Sequence, residues 1–498
     1  MKRTIHILIL AAFTVGFFAV SALALVLPDR KIRPNSPAEE YTAFLDARIP
    51  KLMQRYGIPG VNIALVQNEQ IVYTMAYGDA DREAGRKMTI DMPMRVQSIS
   101  KSVTALAVLK LAEEGRLNLD DPVEKYIKDW KLPASVYSPD DVTVRRLLCH
   151  TAGLPLGDVF ALYAPDEPAP SLKESLTRSA TLFQAPGKGF SYSNVGYNLL
   201  ELLIEEVTGR DFAEYMKNEI LSPLGMNHSS FEWSTEALAA VPLGYTLDGK
   251  LVLPYRYAER ASGGLLATAE DIARLCISGM PAFSKQQILT SAGIEQLYAP
   301  QAERLGIYGM VFDAYGFGHY IERFSSGELA VSHGGQGTGW MSHFHAVPET
   351  GDAIVILTNS QRSWPFIAGV LNGWARWCGF SAPGMASILW GECSLWALVG
   401  LVCATALIQV IRMGIRLASG SLNLTPLRPV RTDMPRIAQL GITIFMLVGL
   451  LWCVNQKYLF ISSIFPAASV WLGISVCAYA IVLLLSALFP RVDEIDAG

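Results

Sequence analysis

The 498-residue sequence contains neither a C-x-x-C nor an H-E-x-x-H spacing, so it offers no redox dithiol and no zinc-protease helix. It has no internal repeat and no low-complexity tract, which sets aside repeat architectures. An excess of one charge is also missing. Forty-one basic residues stand against 45 acidic ones for a net charge of -4, and nothing suggests a nucleic-acid partner. Cysteine is sparse at seven. Cys149, Cys276 and Cys378 lie too far apart in the chain to read as a disulfide framework, and the other four fall in apolar runs. His343 and His345 sit two apart on one face of an expected strand. That is half of a metal site with no third ligand nearby, so core packing is the expectation, and no metal or cofactor is implied.

What the chain has in abundance is apolar sequence, 51% by residue, concentrated at its two ends. Met1-Lys2-Arg3 precedes an apolar run over 4–28 in which Ala22-Leu23-Ala24 has the form of a cleavage site. Residues 1–28 read as a signal peptide or, given the run's length, as an uncleaved signal anchor. Either sends the large domain after it out of the cytoplasm. Three further runs, 393–411, 437–454 and 467–489, are each long enough to cross a bilayer as helix. Between the first two, Arg412, Arg416, Arg428, Arg431 and Arg436 face the single acid Asp433, and positive loops stay in the cytoplasm. The expected topology is an extracytoplasmic domain over 29–385, three transmembrane helices over 386–490 and a cytoplasmic tail over 491–498. The protein is thus expected in the inner membrane as a multi-pass protein, with its large domain periplasmic or extracellular.

Within the large domain, Ser36-Pro37-Ala38-Glu39 is a capping box with proline at the first helical position. Leu45, Ile49, Leu52 and Tyr56 recur at helical spacing up to Gly57. Two runs of strand character, 61–66 and 71–77, flank residues 67–70 as a hairpin. Strands return at 329–333, 338–347 and 353–358 after a middle rich in helices and Gly/Pro breaks. Strands at both ends around a helical middle predict an α+β plan: one antiparallel sheet flanked by helices, with a helical insertion.

The run QSISKSVTALAVLKLAEEG, 97–115, reads as a helix that sets Lys101 one turn after Ser98. An interior lysine is rare unless it is paired or working. Either a serine caps the helix and Lys101 is solvated, or Ser98 is a nucleophile whose proton Lys101 accepts. Other polar clusters bear on the choice. FSYSNVGYNLL places Tyr192 and Asn194 just before a helix, HTAGLP forms a turn at 150–155, and Ser262-Gly263-Gly264-Leu265 is a glycine loop. SHGGQGTGW sets His333, Gly334, Gly335 and Gln336 in a strand region, where glycine is unfavourable unless backbone or ligand approaches closely.

Taken together, Ser98/Lys101, Tyr192/Asn194 and a third motif on a late strand resemble the serine β-lactamase and penicillin-binding-protein-like superfamily, in its class C-like branch. The His150 turn and the Ser262 loop are also typical of that branch, and the resemblance covers about residues 36 to 375. It implies a β-lactamase/transpeptidase-like fold and an acyl-enzyme on Ser98, with Lys101 or Tyr192 as the base. It implies an oxyanion site at the N–H groups of Ser98 and Gln336, with Gly334 and Gly335 admitting the substrate backbone. His333 is expected to orient Tyr192, and Asn194 to hold the substrate amide or Lys101. The third motif departs from Lys-Thr-Gly. His333-Gly334-Gly335 looks like the esterase, D-aminopeptidase and peptidase-like members, and lacks the groups that hold a β-lactam carboxylate. The three apolar runs resemble the membrane-tethered prodrug-activating peptidases, the colibactin-maturation type among them. Those carry an acidic residue three before the serine and an asparagine after the glutamine; this chain has Arg95 and Gly337.

The resulting expectation is a membrane-anchored serine hydrolase acting on a small D-amino-acid-containing or N-acylated peptide. The alternatives are a cell-wall DD-peptidase or esterase, and a β-lactam-sensing receptor. Arg95 is expected either to bind a substrate carboxylate or to sit at the surface paired with Asp91.

Overall fold

The structure, a computed structural model, describes residues 32–281, 288–421, 434–456 and 459–489. The expected signal segment 1–28, residues 422–433 of the positive loop and the tail 491–498 lie outside the described residues. One compact unit runs Ile32–Ser387, and the apolar helices after Ile388 belong to another.

The first unit is built on a sheet of eight strands: β1 (Gly60–Gln67), β2 (Gln70–Asp81), β3 (Arg86–Lys87), β4 (Ala314–Tyr315), β5 (Tyr320–Arg323), β6 (Leu329–Gly337), β7 (Trp340–Val347) and β8 (Asp352–Thr358). Their order is β3-β2-β1-β8-β7-β6-β5-β4, with every neighbouring pair antiparallel. The first hairpin therefore lies in one sheet with the late strands, joined from Val61 opposite Thr358 to Val66 opposite Ala353. Residues 60–66 of β1 are all buried, as a strand covered on both faces requires, which is why GVNIALV is nearly continuous in apolar character. Its turn is tighter than expected: Asn68 and Glu69 alone make it, both at positive φ (50° and 62°), the conformation of a two-residue hairpin. The glycine-rich strand is longer than expected. β6 does not stop at His333 but stays paired with β7 as far as Gly337 opposite Trp340.

Helices cover both faces. On one lie α1 (Ala38–Tyr56) and α5 (Trp364–Cys378), whose Tyr41 and Trp377 rings stack with centres 4.3 Å apart. On the other lies α4 (Ala269–Ser278), while α2 (Ser100–Glu113) and α3 (Asn194–Thr208) pack against each other. Helix α2 has no solvated face over its first ten residues, Lys101, Ser102 and Thr104 included. Its hydroxyls find acceptors: Ser102 donates to Gly318 O at 2.6 Å and Thr104 to Ala261 O at 3.1 Å. Three helices of the other unit, α6 (Ser387–Ala418), α7 (Met434–Val454) and α8 (Pro466–Leu488), are long and apolar enough to cross a membrane. Phe445, Leu451 and Trp452 of α7 are exposed, large apolar groups of the kind that lipid covers.

One ion-pair network fixes the loop that faces α2. Glu201 of α3 is 1% exposed. It accepts the backbone N–H of Arg260 at 2.7 Å, that of Ala261 at 2.8 Å and Arg260 Nε at 3.0 Å. Arg260 continues to Glu205 and Asp211, each at 2.9 Å. Without the Glu201 carboxylate the N–H groups of Arg260 and Ala261 lose their acceptor, while Arg260 keeps Glu205 and Asp211. Glu201→Ala is therefore expected to lower the unfolding free energy by about 1–3 kcal/mol for each N–H left unsatisfied, measured by urea titration of the full chain in detergent. A loss within experimental error would show that the network contributes nothing to the fold.

Candidate active site

The segment around Ser98 is shaped before the helix begins. Gln97, Ser98 and Ile99 form a single 3-10 turn and α2 starts at Ser100, so Ser98 sits on the turn that feeds the helix rather than in it. Gln97 has φ +52°, a left-handed conformation uncommon for a side-chain-bearing residue and typical of strained sites. Ser100 locks the turn, donating to Gln97 O at 2.6 Å and accepting from Leu265 N at 3.0 Å. The neighbouring residues Met94 and Arg95 pair with Leu266 and Ala267. Ser98 is left half-buried between buried Gln97 and Ile99.

Lys101 is 0% exposed. Its Nζ contacts three uncharged oxygens: Ser98 Oγ at 3.1 Å, Asn194 Oδ1 at 2.7 Å and Ser262 O at 2.6 Å. Burial alone drives its pKa well below the lysine range, since desolvation disfavours the charged form. Tyr192 goes the other way. Burial raises its phenol above the usual tyrosine range, with a hydrogen bond to Ser98 pulling weakly against it. An ammonium beside a phenol would lower the phenol's pKa, but the shift here is upward. Lys101 Nζ lies over the Tyr192 ring, 4.9 Å from its centre, and burial outweighs any pull on the hydroxyl. Asn194 is the first residue of α3 and spends its amide oxygen on Lys101. The N-cap is Ser193, which accepts from Gly196 N at 2.9 Å.

His333 does not bond Tyr192. Its Nε2 lies 3.2 Å from Tyr315 Oη and its Nδ1 2.8 Å from Gly334 O, while the His333 and Tyr192 ring centres are 6.2 Å apart. The carbonyl accepts from Nδ1–H, so Nε2 is left to accept from Tyr315. Burial, with Lys101 next in weight, keeps the ring's pKa well below the histidine range. The glycines also serve a different neighbour from the one expected. A Cβ on Gly335 would lie 2.2 Å from Val96 O and from Ser342 Oγ, and one on Gly334 would lie 2.8 Å from the Trp364 ring. The close approach they allow is that of the chain's own nucleophile segment and of α5. Gln336 accepts from Trp364 Nε1 at 2.9 Å through its side chain. β5 pairs with β6 only from Leu329 to Ser332, so it does not cover the edge from His333 to Gly337.

Arg95 is neither at the surface nor paired with Asp91. It is 2% exposed, because its guanidinium lies 4.1 Å from the Tyr255 ring centre, 5.4 Å from Trp340 and 5.7 Å from Trp233. One terminal nitrogen donates to Tyr255 O, and Nη1 is buried with no partner. The asparagine that Gly337 replaces would have to displace the Gln97 amide, from which a Cβ there would lie 2.4 Å. That amide is held by Tyr255 Oη at 3.3 Å and Tyr257 Oη at 3.0 Å. Gln97, Tyr255, Tyr257 and Tyr315 are not legible in the sequence as site residues. The only signal there is the Y-x-Y spacing at 255–257, which points both rings of an extended segment to one side. His343 and His345 face each other across 3.5 Å in the core, and among the described residues no group of three metal ligands forms.

Known proteins resemble this chain in sequence and fold. The family model described as Beta-lactamase aligns with residues 45–369. Protein flp of Staphylococcus aureus is 31% identical over 235 residues, 46% of this chain and 47% of that protein. Esterase EstB of Burkholderia gladioli is 33% identical over 217 residues, 41% of this chain and 55% of its own. The chain thus spans about half the length of the curated relatives it matches. Among solved structures, the octameric penicillin-binding protein homologue from Pyrococcus abyssi superimposes with a TM-score of 0.56 at 30% identity, covering 66% of this chain and 76% of that one. The D-alanine carboxypeptidase AmpC from Burkholderia cenocepacia gives a TM-score of 0.56 at 23% identity, over 69% of this chain and 99% of its own, a likeness of fold. With the family model spanning more than half of the sequence and taking in Ser98, Tyr192 and His333 alike, the chain belongs to the Beta-lactamase family.

Proposed function

We propose that this protein is a membrane-anchored, extracytoplasmic serine hydrolase. It acylates on Ser98 and acts as a peptidase or amidase on D-amino-acid-containing or N-acylated peptides. The observation that carries the reading is Lys101, a fully buried amine in contact with Ser98 Oγ and held by neutral acceptors. As a neutral amine it donates its two hydrogens to Asn194 Oδ1 and Ser262 O and turns its lone pair to Ser98. It takes the hydroxyl proton as Oγ bonds to the substrate acyl carbon. The carbonyl oxygen becomes the oxyanion at the N–H groups of Ser98 and Gln336, where one donor is worth roughly 3–4 kcal/mol. Collapse breaks the C–N bond. The proton on Lys101 passes through the Tyr192 hydroxyl to the leaving nitrogen, a transfer suited to a phenol that stays protonated. Water then repeats the sequence on the ester, restoring Ser98 and releasing the acid.

The loss of Lys-Thr from the third motif supports a peptide substrate over a β-lactam. A second reading, an esterase, draws on the EstB relative and uses the same residues. The three apolar helices support the tethered, prodrug-type branch, and Arg95 changes its specificity. A buried guanidinium with a free Nη1 and no acid bonded to it suits a substrate carboxylate near the scissile bond.

Three measurements test the reading. Ser98→Ala is expected to abolish labelling by a fluorophosphonate and Lys101→Ala to slow it by about 10²–10⁴-fold, read by gel fluorescence; undiminished labelling of the Ser98 variant places the nucleophile elsewhere. The labelling rate should rise with pH as Lys101 loses its proton, and level off below the ordinary lysine value of about 10.4, because burial depresses that pKa. A profile flat from about pH 5 to 10, on either side of a depressed lysine value, would remove Lys101 as the base. Arg95→Ala should lower kcat/KM for peptides with a free carboxylate by about 10–100-fold, the worth of one charged hydrogen bond, while sparing their neutral amides. An equal effect on both would leave Arg95 a packing residue.

A further inference from the structure

His150 has no part in the mechanism above, yet it contacts the Tyr192 segment at three points. It is 1% exposed and stands in the turn after the short helix Val144–Leu148, at φ +59°. Its carbonyl oxygen accepts the N–H of Ser191 at 2.8 Å. Its ring Nδ1 accepts the N–H of Ser193 at 3.1 Å. Its ring centre lies 4.4 Å from that of Tyr192. Both residues flanking Tyr192 are thus tied to one side chain and its backbone, and the phenol ring rests against the same imidazole. Ser193 passes the restraint on, because it caps α3 and so sets Asn194 against Lys101.

The arrangement needs a particular form of the ring. A peptide N–H can donate to Nδ1 only if that nitrogen carries a lone pair, so the hydrogen sits on Nε2 and the ring is neutral. Burial, with Lys101 and His333 nearby, holds the pKa well below the histidine range. The backbone adds a second demand, since a left-handed φ suits asparagine better than other side chains. Asparagine also has an acceptor, Oδ1, about as far along the side chain as Nδ1.

We infer that His150 is the positioning residue for Tyr192: by holding Ser191 and Ser193 on either side, it sets the phenol against Ser98 and the Asn194 amide against Lys101. The inference rests on the serine-hydrolase reading, and its test separates the two. Fluorophosphonate labelling of the full chain in detergent is followed as kinact and KI for His150→Ala, His150→Phe and His150→Asn, with thermal unfolding of each recorded alongside and Ser98→Ala as the reference. The phenylalanine variant keeps a ring but has no acceptor; the asparagine variant keeps the acceptor and tolerates the backbone. The expected result is a fall in kinact on the order of 10²-fold for alanine and phenylalanine, as for a misplacement of about 1 Å. KI should change little, and asparagine should recover most of the rate. Equal kinact in the phenylalanine and asparagine variants overturns the proposal, as does a loss confined to KI. If the alanine variant does not fold, the phenylalanine and asparagine pair decides it. Labelling that persists in Ser98→Ala instead refutes the hydrolase reading itself.

Discussion

A single amine taken out of water organises the site. Lys101 is enclosed on a helix with no solvated face over its first turns, and among the described residues no acidic group lowers the cost of its charge; burial is what depresses its pKa. An isolated buried ammonium is expensive, and burial shifts the group toward its neutral form. Three contacts accommodate the amine that remains, and each comes from a different stretch of chain: the turn at Ser98, the head of α3 at Asn194 and the loop at Ser262. The loop is in turn held by Glu201 and Arg260. Three distant stretches of chain thus converge on one amine.

The same logic recurs with a different outcome at Arg95. Guanidinium does not deprotonate in proteins, so burial there is balanced by aromatic faces rather than by neutralisation. Two buried basic side chains on one short segment are therefore handled in two ways. One is shifted toward its neutral form. The other lies among aromatic faces with a donor that no described residue accepts.

Much of this plan is legible in the sequence. The serine and lysine one turn apart, the tyrosine and asparagine ahead of a helix, and strands at both ends of the large domain are local patterns with local physics. The features that escape depend on contacts between distant positions. Arg95 reads as a substrate-binding or a surface residue, and its burial shows only when Tyr255, 160 residues later, is brought against it. Gly335 reads as room for a substrate until Val96 O is found where its Cβ would be. His333 pairs with Tyr315 rather than Tyr192 because a two-residue strand at the sheet edge, too short to leave a periodic signal, delivers that hydroxyl. A 3-10 turn and the first turn of an α-helix share their i, i+3 spacing, so the residue pattern alone starts α2 at Gln97 instead of Ser100.

The Gln97 amide lies where a side chain at Gly337 would begin. Positions 97 and 337 therefore share one volume, and only one of them can fill it. The residue beside the nucleophile and the residue at the end of the glycine strand are a single steric variable. In this chain the volume is taken by an amide tethered to two tyrosines. Changing what fills that volume is then an exchange of occupancy between side chains carried on two backbones.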